Sequence, residues 1–193
     1  MPGKSVPLTA DMWAYGVLAV ALLVASYLDV RTGKIPNWVT LPAVVIGVVG
    51  QTLVAWATGK GLAGLGGSLG GLAVGFLPLY LAWRAGGVGG GDAKMMAAVG
   101  ALTNWEFTLA AMFYGFLVAG VMAVLVMLVK RITWRTLGRI WRFLYLAMLS
   151  AKPADPATPD SPKIPFGLAL CIGSALQLVD LLLGGPVSSR LWS

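Results

Sequence analysis

The stretch "GGGDAKMMAAVGA" (residues 89–101) decides how this chain folds, because it begins an apolar segment that is hydrophobic enough to enter a membrane but shorter than a normal transmembrane helix. The apolar segment near residues 93–103 would cover only about 16 Å as a helix. That is roughly half of a bilayer's hydrocarbon core. Whether this segment crosses the membrane sets the number of spans and the side on which every later loop lies.

The composition is that of an integral membrane protein. The 193 residues are 58% hydrophobic and 11% charged, whereas soluble domains carry about 25% charged residues. Hydrophobic segments lie near residues 12–28, 39–57, 61–83, 93–103, 107–129 and 165–183. Lipid offers no partners to backbone groups, so we expect all of them to be helices. The predicted fold is an all-α, polytopic bundle of six transmembrane helices with a short fourth helix, forming one domain over residues 1–193.

The basic residues predict the orientation of the bundle. With six crossings and the N-terminus outside, eleven Lys and Arg residues lie in inside loops and three lie outside. Without a crossing by the fourth segment, the seven basic residues from Lys130 to Lys163 move outside, and the split becomes five inside and nine outside. The positive-inside rule therefore favours six crossings. Both termini are then outside, and the glycine-rich loop before the fourth helix faces the cytoplasm.

The cytoplasmic loop 130–163 contains a second kind of helix signal. In "KRITWRTLGRIWRFLY" (130–145) the arginines share one arc and the large apolar residues share the opposite one. This pattern predicts an amphipathic helix lying in the interface, with its basic face toward lipid headgroups. The same charge could contact nucleic acid, but we predict membrane lipids and no nucleic acid as its partner.

Two further patterns predict packing and exclude several kinds of site. The chain has one cysteine and no histidine, which excludes a disulfide framework, Cys or His metal sites and His-dependent triads. We expect no metal and no cofactor, and we expect Cys171 to be packed among apolar residues. Gly67, Gly71 and Gly75 recur at four-residue spacing and predict a face of close helix packing.

Two of the seven acidic residues stand out by their position. Asp29 and Asp92 each lie at the cytoplasmic end of a predicted span, in apolar or glycine-rich sequence. The hairpin of spans two and three returns Asp92 to the membrane face of Asp29. Two carboxylates brought close together cannot both ionise easily, so one keeps a proton. This is the arrangement of an aspartic protease, and a loop of glycines would let an extended peptide reach Asp92.

Other interpretations of the two aspartates remain open at this point. Asp92 would also suit the start of a helix, where an acid interacts well with the dipole, and Asp29 has Arg31 and Lys34 nearby as counter-charges. The alternative function is a proton-coupled transporter that uses Asp29 and Asp92 as a proton relay. A third is a structural subunit of a secretion machine, which would tolerate asparagine at both positions.

Three motifs resemble the prepilin peptidase family, the type IV leader peptidases of the GxGD class. Residues 89–101 resemble the GxGD motif, with Lys94 two positions after the aspartate. "DVRTGKIPNWVTLP" (29–42) resembles the first aspartate motif of the family. "KIPFG" (163–167) resembles the entry into its last span. The resemblance covers residues 12–183, and the motifs occur in the family's order.

The resemblance implies a membrane-embedded aspartic endopeptidase of the bacterial inner membrane. It would cleave the leader peptide of type IV prepilins or pseudopilins at the cytoplasmic face, with the pilus assembly machinery as a further partner. Asp29 and Asp92 are the implied catalytic pair. Gly89 and Gly91 would shape the approach to Asp92. Lys94 would either adjust the charge state of Asp92 or contact the substrate. Alternatively, it would only place its ammonium group at the membrane–water interface, as amphipathic side chains do.

One departure from the longer members bears on the activity. Those members carry an N-terminal insertion with paired Cys-x-x-Cys motifs and also methylate the trimmed pilin. Here eleven residues precede the first span and the sequence has a single cysteine. The chain is therefore similar to the short form found with tight-adherence (Flp) pili, and we expect proteolysis without N-methylation.

Overall fold

The computed structural model describes residues 8–33, 35–130, 138 and 166–182, and within these ranges it contains helices and no strand. The helices are α1 (Leu8–Thr32), α2 (Asn37–Ala57), α3 (Ala63–Arg84), α4 (Gly90–Leu102), α5 (Trp105–Val129) and α6 (Phe166–Leu182). Each coincides with one predicted hydrophobic segment, so the all-α prediction is confirmed. The predicted interfacial helix 130–145 lies outside the described residues apart from Lys130 and Gly138.

The helices differ in their ability to cross a membrane. Four are long and apolar enough to do so, and they cover Met12–Thr32, Asn37–Ala57, Ala63–Arg84 and Trp105–Val129. Helix α6 is also apolar but has 17 residues. Helix α4 has 13 residues, which corresponds to about 20 Å. The prediction that the fourth helix is short is confirmed.

Helix α4 is the most enclosed element of the described bundle. Ten of its 13 residues are buried, and α1, α2, α3 and α6 all contact it. Its close neighbour is α3, where a Cβ on Gly71 or Gly75 would collide with the α4 carbonyls of Gly100 and Met96. These two glycines confirm the predicted packing face. The prediction was wrong for Gly67, because no described atom lies within 4 Å of a Cβ placed there.

The C-terminal end of α4 lies inside the bundle and takes its hydrogen bonds from neighbouring helices. Ser68 on α3 donates its hydroxyl to the Ala101 carbonyl at 2.7 Å. Gln51 on α2 donates its amide to the Leu102 carbonyl at 2.8 Å. The last carbonyls of a helix have no partner within the helix, and apolar surroundings make an unpaired carbonyl costly. These two side chains therefore let a short helix end within the protein.

The chain divides into two compact units. The first comprises residues 1–118 and 165–193, and the second comprises residues 119–164. All residues discussed below as a site belong to the first unit. The described part of the second is the end of α5 with Lys130 and Gly138. That residues 1–193 form one domain stays a prediction.

Candidate active site

Asp29 lies in the last turns of α1 and is held against the start of α6. Its side chain is only 8% exposed, and its Oδ2 accepts the Leu168 backbone N–H at 3.0 Å. The first N–H groups of a helix lack partners within the helix and carry partial positive charge. Helix α1 ends soon afterwards at Thr32, and the following Gly33 has a φ of 63°, a left-handed conformation that suits glycine just after a helix. The carboxylate of Asp29 is thus bound by the N-terminus of the last described helix.

Asp92 is the third residue of α4 and closes the N-terminus of that helix. It is 7% exposed, and its Oδ2 accepts the Gly89 backbone N–H at 3.2 Å. This is the capping position expected of an acid at a helix start. The structural role weighed from the sequence is therefore present. It does not explain why the other carboxylate oxygen faces a second acid.

Both carboxylates converge on Gly167, in the first turn of α6. A Cβ on Gly167 would lie 2.7 Å from Oδ2 of Asp29 and 2.8 Å from Oδ1 of Asp92. The two oxygens therefore cannot be further apart than the sum of these distances. Any side chain at this buried position would have to displace one of the acids. Two residues that are 63 positions apart in sequence are thus brought together by a third element.

Gly167 is the site residue to which sequence reasoning assigned no role. It was part of the quoted "KIPFG" motif, but nothing in the sequence indicates what a glycine at the start of the last apolar segment would touch. The signal that could have found it is the motif itself. A glycine at the entry to a helix permits close approach of another group.

The other two predicted glycines have separate surroundings. A Cβ on Gly89 would lie 2.9 Å from Oδ2 of Asp92, so Gly89 leaves room beside the carboxylate itself. A Cβ on Gly91 would come within 3.1 to 3.3 Å of the Cβ, N and O atoms of Ile35. Gly91 therefore lets the start of α4 lie against the connection between α1 and α2. The two aspartate motifs are in direct contact through this pair.

Two described cations at this end of the bundle, Lys94 and Arg31, contact groups other than the two acids. The exposed Lys94 donates to Oδ1 of Asn37, the first residue of α2, at 2.9 Å. The Arg31 guanidinium lies over the Tyr27 ring at 4.8 Å. Lys34 lies outside the described residues. The predicted counter-charge role of Arg31 is therefore replaced by a cation–π contact in this structure.

Two other kinds of site were considered among the described residues, a metal site and a reactive cysteine. Among them, no group of three or more His, Cys, Asp or Glu residues could hold a metal ion. Cys171 is buried, and its Sγ lies 3.3 Å from Sδ of Met95, which confirms the expected apolar packing. What remains is a pair of adjacent buried carboxylates. Such a pair can share one proton and act as general base and general acid together.

The sequence was compared with the models of known protein families. Residues 16–124 match the model of the type IV leader peptidase family, and this range contains both Asp29 and Asp92. The match covers more than half of the chain. The chain belongs to the type IV leader peptidase family.

Individual relatives agree with this family. Over 191 residues the chain is 34% identical to a prepilin leader peptidase/N-methyltransferase of Burkholderia pseudomallei strain 1026b, covering 93% of this chain and 51% of that protein. The protein of the same name from strain K96243 matches equally well. A preflagellin peptidase of Methanococcus voltae is 32% identical over 91 residues, which is 47% of this chain and 38% of that protein. The chain thus spans about half the length of its Burkholderia relatives, and no solved structure matches it.

Proposed function

We propose that this chain is a membrane-embedded aspartic endopeptidase that cleaves the leader peptide from type IV prepilins or pseudopilins. Asp29 and Asp92 are its catalytic pair. The observation that carries the proposal is the convergence of two buried carboxylates on the single backbone position of Gly167. The family supports the reaction class, and the names of the relatives support a leader peptide as substrate.

The proposed chemistry follows from one proton shared by two acids. The ionised carboxylate accepts a proton from water as the water oxygen attacks the peptide carbonyl carbon. The protonated carboxylic acid donates its proton to the carbonyl oxygen, which gives a neutral tetrahedral diol. When the C–N bond breaks, the amine takes a proton from one acid and the hydroxyl returns one to the other. The pair ends in the protonation state in which it began.

The glycine-rich loop before α4 is the proposed route of the peptide to the pair. Gly86 has a φ of 80°, and Gly89 is extended with a φ of −74° and a ψ of 141°. An extended peptide exposes its scissile bond, and glycines leave space for a second backbone beside Asp92. We assign Gly89 to this approach and Gly91 to the contact with Ile35. Lys94, held by Asn37, is proposed to stabilise the rim of the site.

The proposed topology is six crossings with both termini outside and the carboxylate pair at the cytoplasmic face of a bacterial inner membrane. The charge distribution of eleven basic residues inside against three outside supports it. The α2–α3 hairpin between Asp29 and Asp92 is consistent with both acids at one face. Helix 130–145 is proposed from its sequence as an interfacial element on that side. Reporter fusions after Lys60 and within residues 151–162 test this topology, and an outside loop at 151–162 would contradict it.

We also propose that the substrate is a Flp-type pilin and that the chain trims it without methylating it. The support is the single cysteine of the sequence, because the longer members that also methylate carry paired Cys-x-x-Cys motifs. The test is incubation of the purified protein with prepilin and labelled S-adenosylmethionine. We expect a shortened pilin without label, and label in the product would contradict this part of the proposal.

The deciding experiment is cleavage of a purified prepilin by the purified protein in detergent. We expect Asp29→Asn and Asp92→Asn each to abolish cleavage, because each removes one of the two proton-transfer groups. Glu106→Gln is the matched control, since Glu106 is an exposed acid at the start of α5. Near-native cleavage by a folded asparagine variant would refute the pair. The transporter alternative gains no support from the family or the relatives.

A further inference from the structure

Gly90 lies between the two glycines that lie against Asp92 and Ile35, and it faces a third element of the bundle. A Cβ on Gly90 would lie 3.1 Å from Nε1, 3.3 Å from Cε2 and 3.4 Å from Cδ1 of Trp83, in the last turn of α3. The first two distances are shorter than ordinary van der Waals contact, so even a methyl group would require the indole to shift. A glycine at position 90 therefore allows the Trp83 ring to lie against the start of α4.

The indole of Trp83 lies face-on over Gly90 and keeps its N–H available. Nε1 and its two bonded ring carbons are almost equally distant from the Cβ position, whereas an N–H pointing at it would place both carbons clearly further away. The N–H therefore lies parallel to the glycine loop rather than toward it. It has no hydrogen-bond partner among the described residues, and the side chain is 46% exposed. An indole N–H in such a position can bind a polar group that arrives from solvent.

Aromatic neighbours on α3 hold the indole in this position. The Trp83 and Tyr80 ring centroids are 5.6 Å apart, and the Tyr80 and Phe76 centroids are 5.2 Å apart. A ring restrained on two sides loses little conformational entropy when its N–H binds a partner. Trp38, in the first turn of α2, is 66% exposed and has no ring contact among the described residues. Exposure alone is enough for an interfacial tryptophan, so the restrained indole of Trp83 indicates a different task.

The approach from the indole to the Asp92 carboxylate is open. Gly89 is exposed, and its N–H donates to Oδ2 of Asp92. Gly89 directly precedes Gly90, so adjacent backbone positions lie beside the carboxylate and beneath the indole. This places the indole N–H within about 12 Å of the carboxylate. An extended peptide covers this distance in about four residues.

We propose that Trp83 binds the substrate, and that its indole N–H donates a hydrogen bond to a backbone carbonyl within about four residues of the scissile bond. This inference rests on the proposed peptidase function and names a residue that holds the peptide in register. A bound extended peptide has carbonyls that require partners, and the glycines of the loop have no side chain to supply one. A bond to the backbone acts on every peptide sequence alike. A lipid headgroup could accept the same N–H, but the place of the indole at the approach to Asp92 favours the peptide.

The test pairs two enzymes with two forms of one synthetic prepilin peptide. Trp83→Phe keeps an aromatic ring at this position and removes the N–H, so KM should rise about 5-fold while kcat stays within about 2-fold. In the peptide, one backbone amide at a time is replaced by an ester, whose carbonyl is a weaker acceptor. At one position within about four residues of the scissile bond, the ester should weaken cleavage about 5-fold with wild type but at most about 2-fold with Trp83→Phe. At every other position the two losses should multiply.

Two further variants control for packing and for folding. Trp38→Phe removes an indole N–H from another exposed ring, and its KM and kcat should stay at wild-type values. Trp83→Leu is a second variant without the N–H at position 83 and should show the same coupling to the ester. Thermal melting in detergent identifies any unfolded protein.

The outcomes separate the binding role of Trp83 from the peptidase function. An unchanged KM, losses that multiply at all ester positions, or a fall in kcat alone would mean that Trp83 only packs against α4. A loss in vesicles of anionic lipid that is absent in detergent would assign the N–H to a headgroup. Each of these results overturns the binding role and leaves the peptidase standing, whereas absence of cleavage by wild type overturns both.

Discussion

The two ends of α4 are built for different tasks, although both lie within the same short helix. At the C-terminal end, Ser68 and Gln51 donate to the last carbonyls, and every polar group named there is paired. At the N-terminal end, Oδ2 of Asp92 accepts the Gly89 N–H and caps the helix. The other oxygen, Oδ1, lies with Oδ2 of Asp29 beside Gly167. The C-terminal end is stabilised by hydrogen bonds from neighbouring helices, whereas the N-terminal end holds two buried acids close together. A helix of 13 residues covers about 20 Å, and it can be this short because neighbouring helices pair its last carbonyls inside the bundle.

The substitution expected to disturb the N-terminal end of α4 most is Gly167→Ala. A methyl group at this position would lie within 3 Å of oxygens of both acids. One acid must move, and a displacement of about 1 Å at reacting groups can lower a rate by about 100-fold. We therefore expect cleavage of prepilin to fall at least about 100-fold.

Gly66→Ala is the matched control for that substitution. Gly66 is also a helical glycine, but no described atom lies within 4 Å of a Cβ placed there. Its cleavage rate should stay near that of wild type, and its melting temperature should be equal or higher. Equal rates for the two variants would show that Gly167 does not set the geometry of the pair.

The second prediction concerns pH and applies to the N-terminal end alone. A pair that works with one proton loses activity at low pH, when both acids are protonated, and at high pH, when both are ionised. The profile of kcat/KM should be bell-shaped, with apparent pKa values that belong to the pair. The free energy of unfolding lost through Ser68→Ala should stay constant over the same range, because a hydroxyl–carbonyl bond does not titrate there. A flat rate profile would contradict the shared proton.

The C-terminal end predicts a loss of stability rather than of chemistry. Ser68→Ala leaves the Ala101 carbonyl without its recorded partner in a buried place. The cost of such a group is about 1–3 kcal/mol, which should lower the melting temperature in detergent. Below that temperature, the cleavage rate should be near wild type. Thr52→Val is the control, since its hydroxyl bonds within α2 itself. A large rate loss in a fully folded Ser68→Ala protein would remove the distinction between the two ends.

The sequence predicted local features well and contacts between distant segments less well. Each helix was evident as an apolar run whose ends carry glycine, proline or charge, and the fourth run was evident as a short one. The placement of Asp29 and Asp92 at one face followed from counting spans, yet their separation did not. It depends on Gly167, which is 75 positions beyond Asp92. Ser68 and Gln51 were not predicted either, because a polar residue within a span does not reveal which distant carbonyl it will meet.

The smallest predicted effect belongs to Lys94, on the exposed flank between the two ends. Its ammonium group donates to Asn37 at the surface, where such a bond contributes well under about 1 kcal/mol. We expect Lys94→Met to change kcat/KM by at most about 3-fold, and Asn37→Ala to have the same effect. The double variant should be no worse than either single one, because both remove the same contact. A loss of 100-fold or more in Lys94→Met, with Asn37→Ala unaffected, would instead place Lys94 in direct contact with the acids or the substrate.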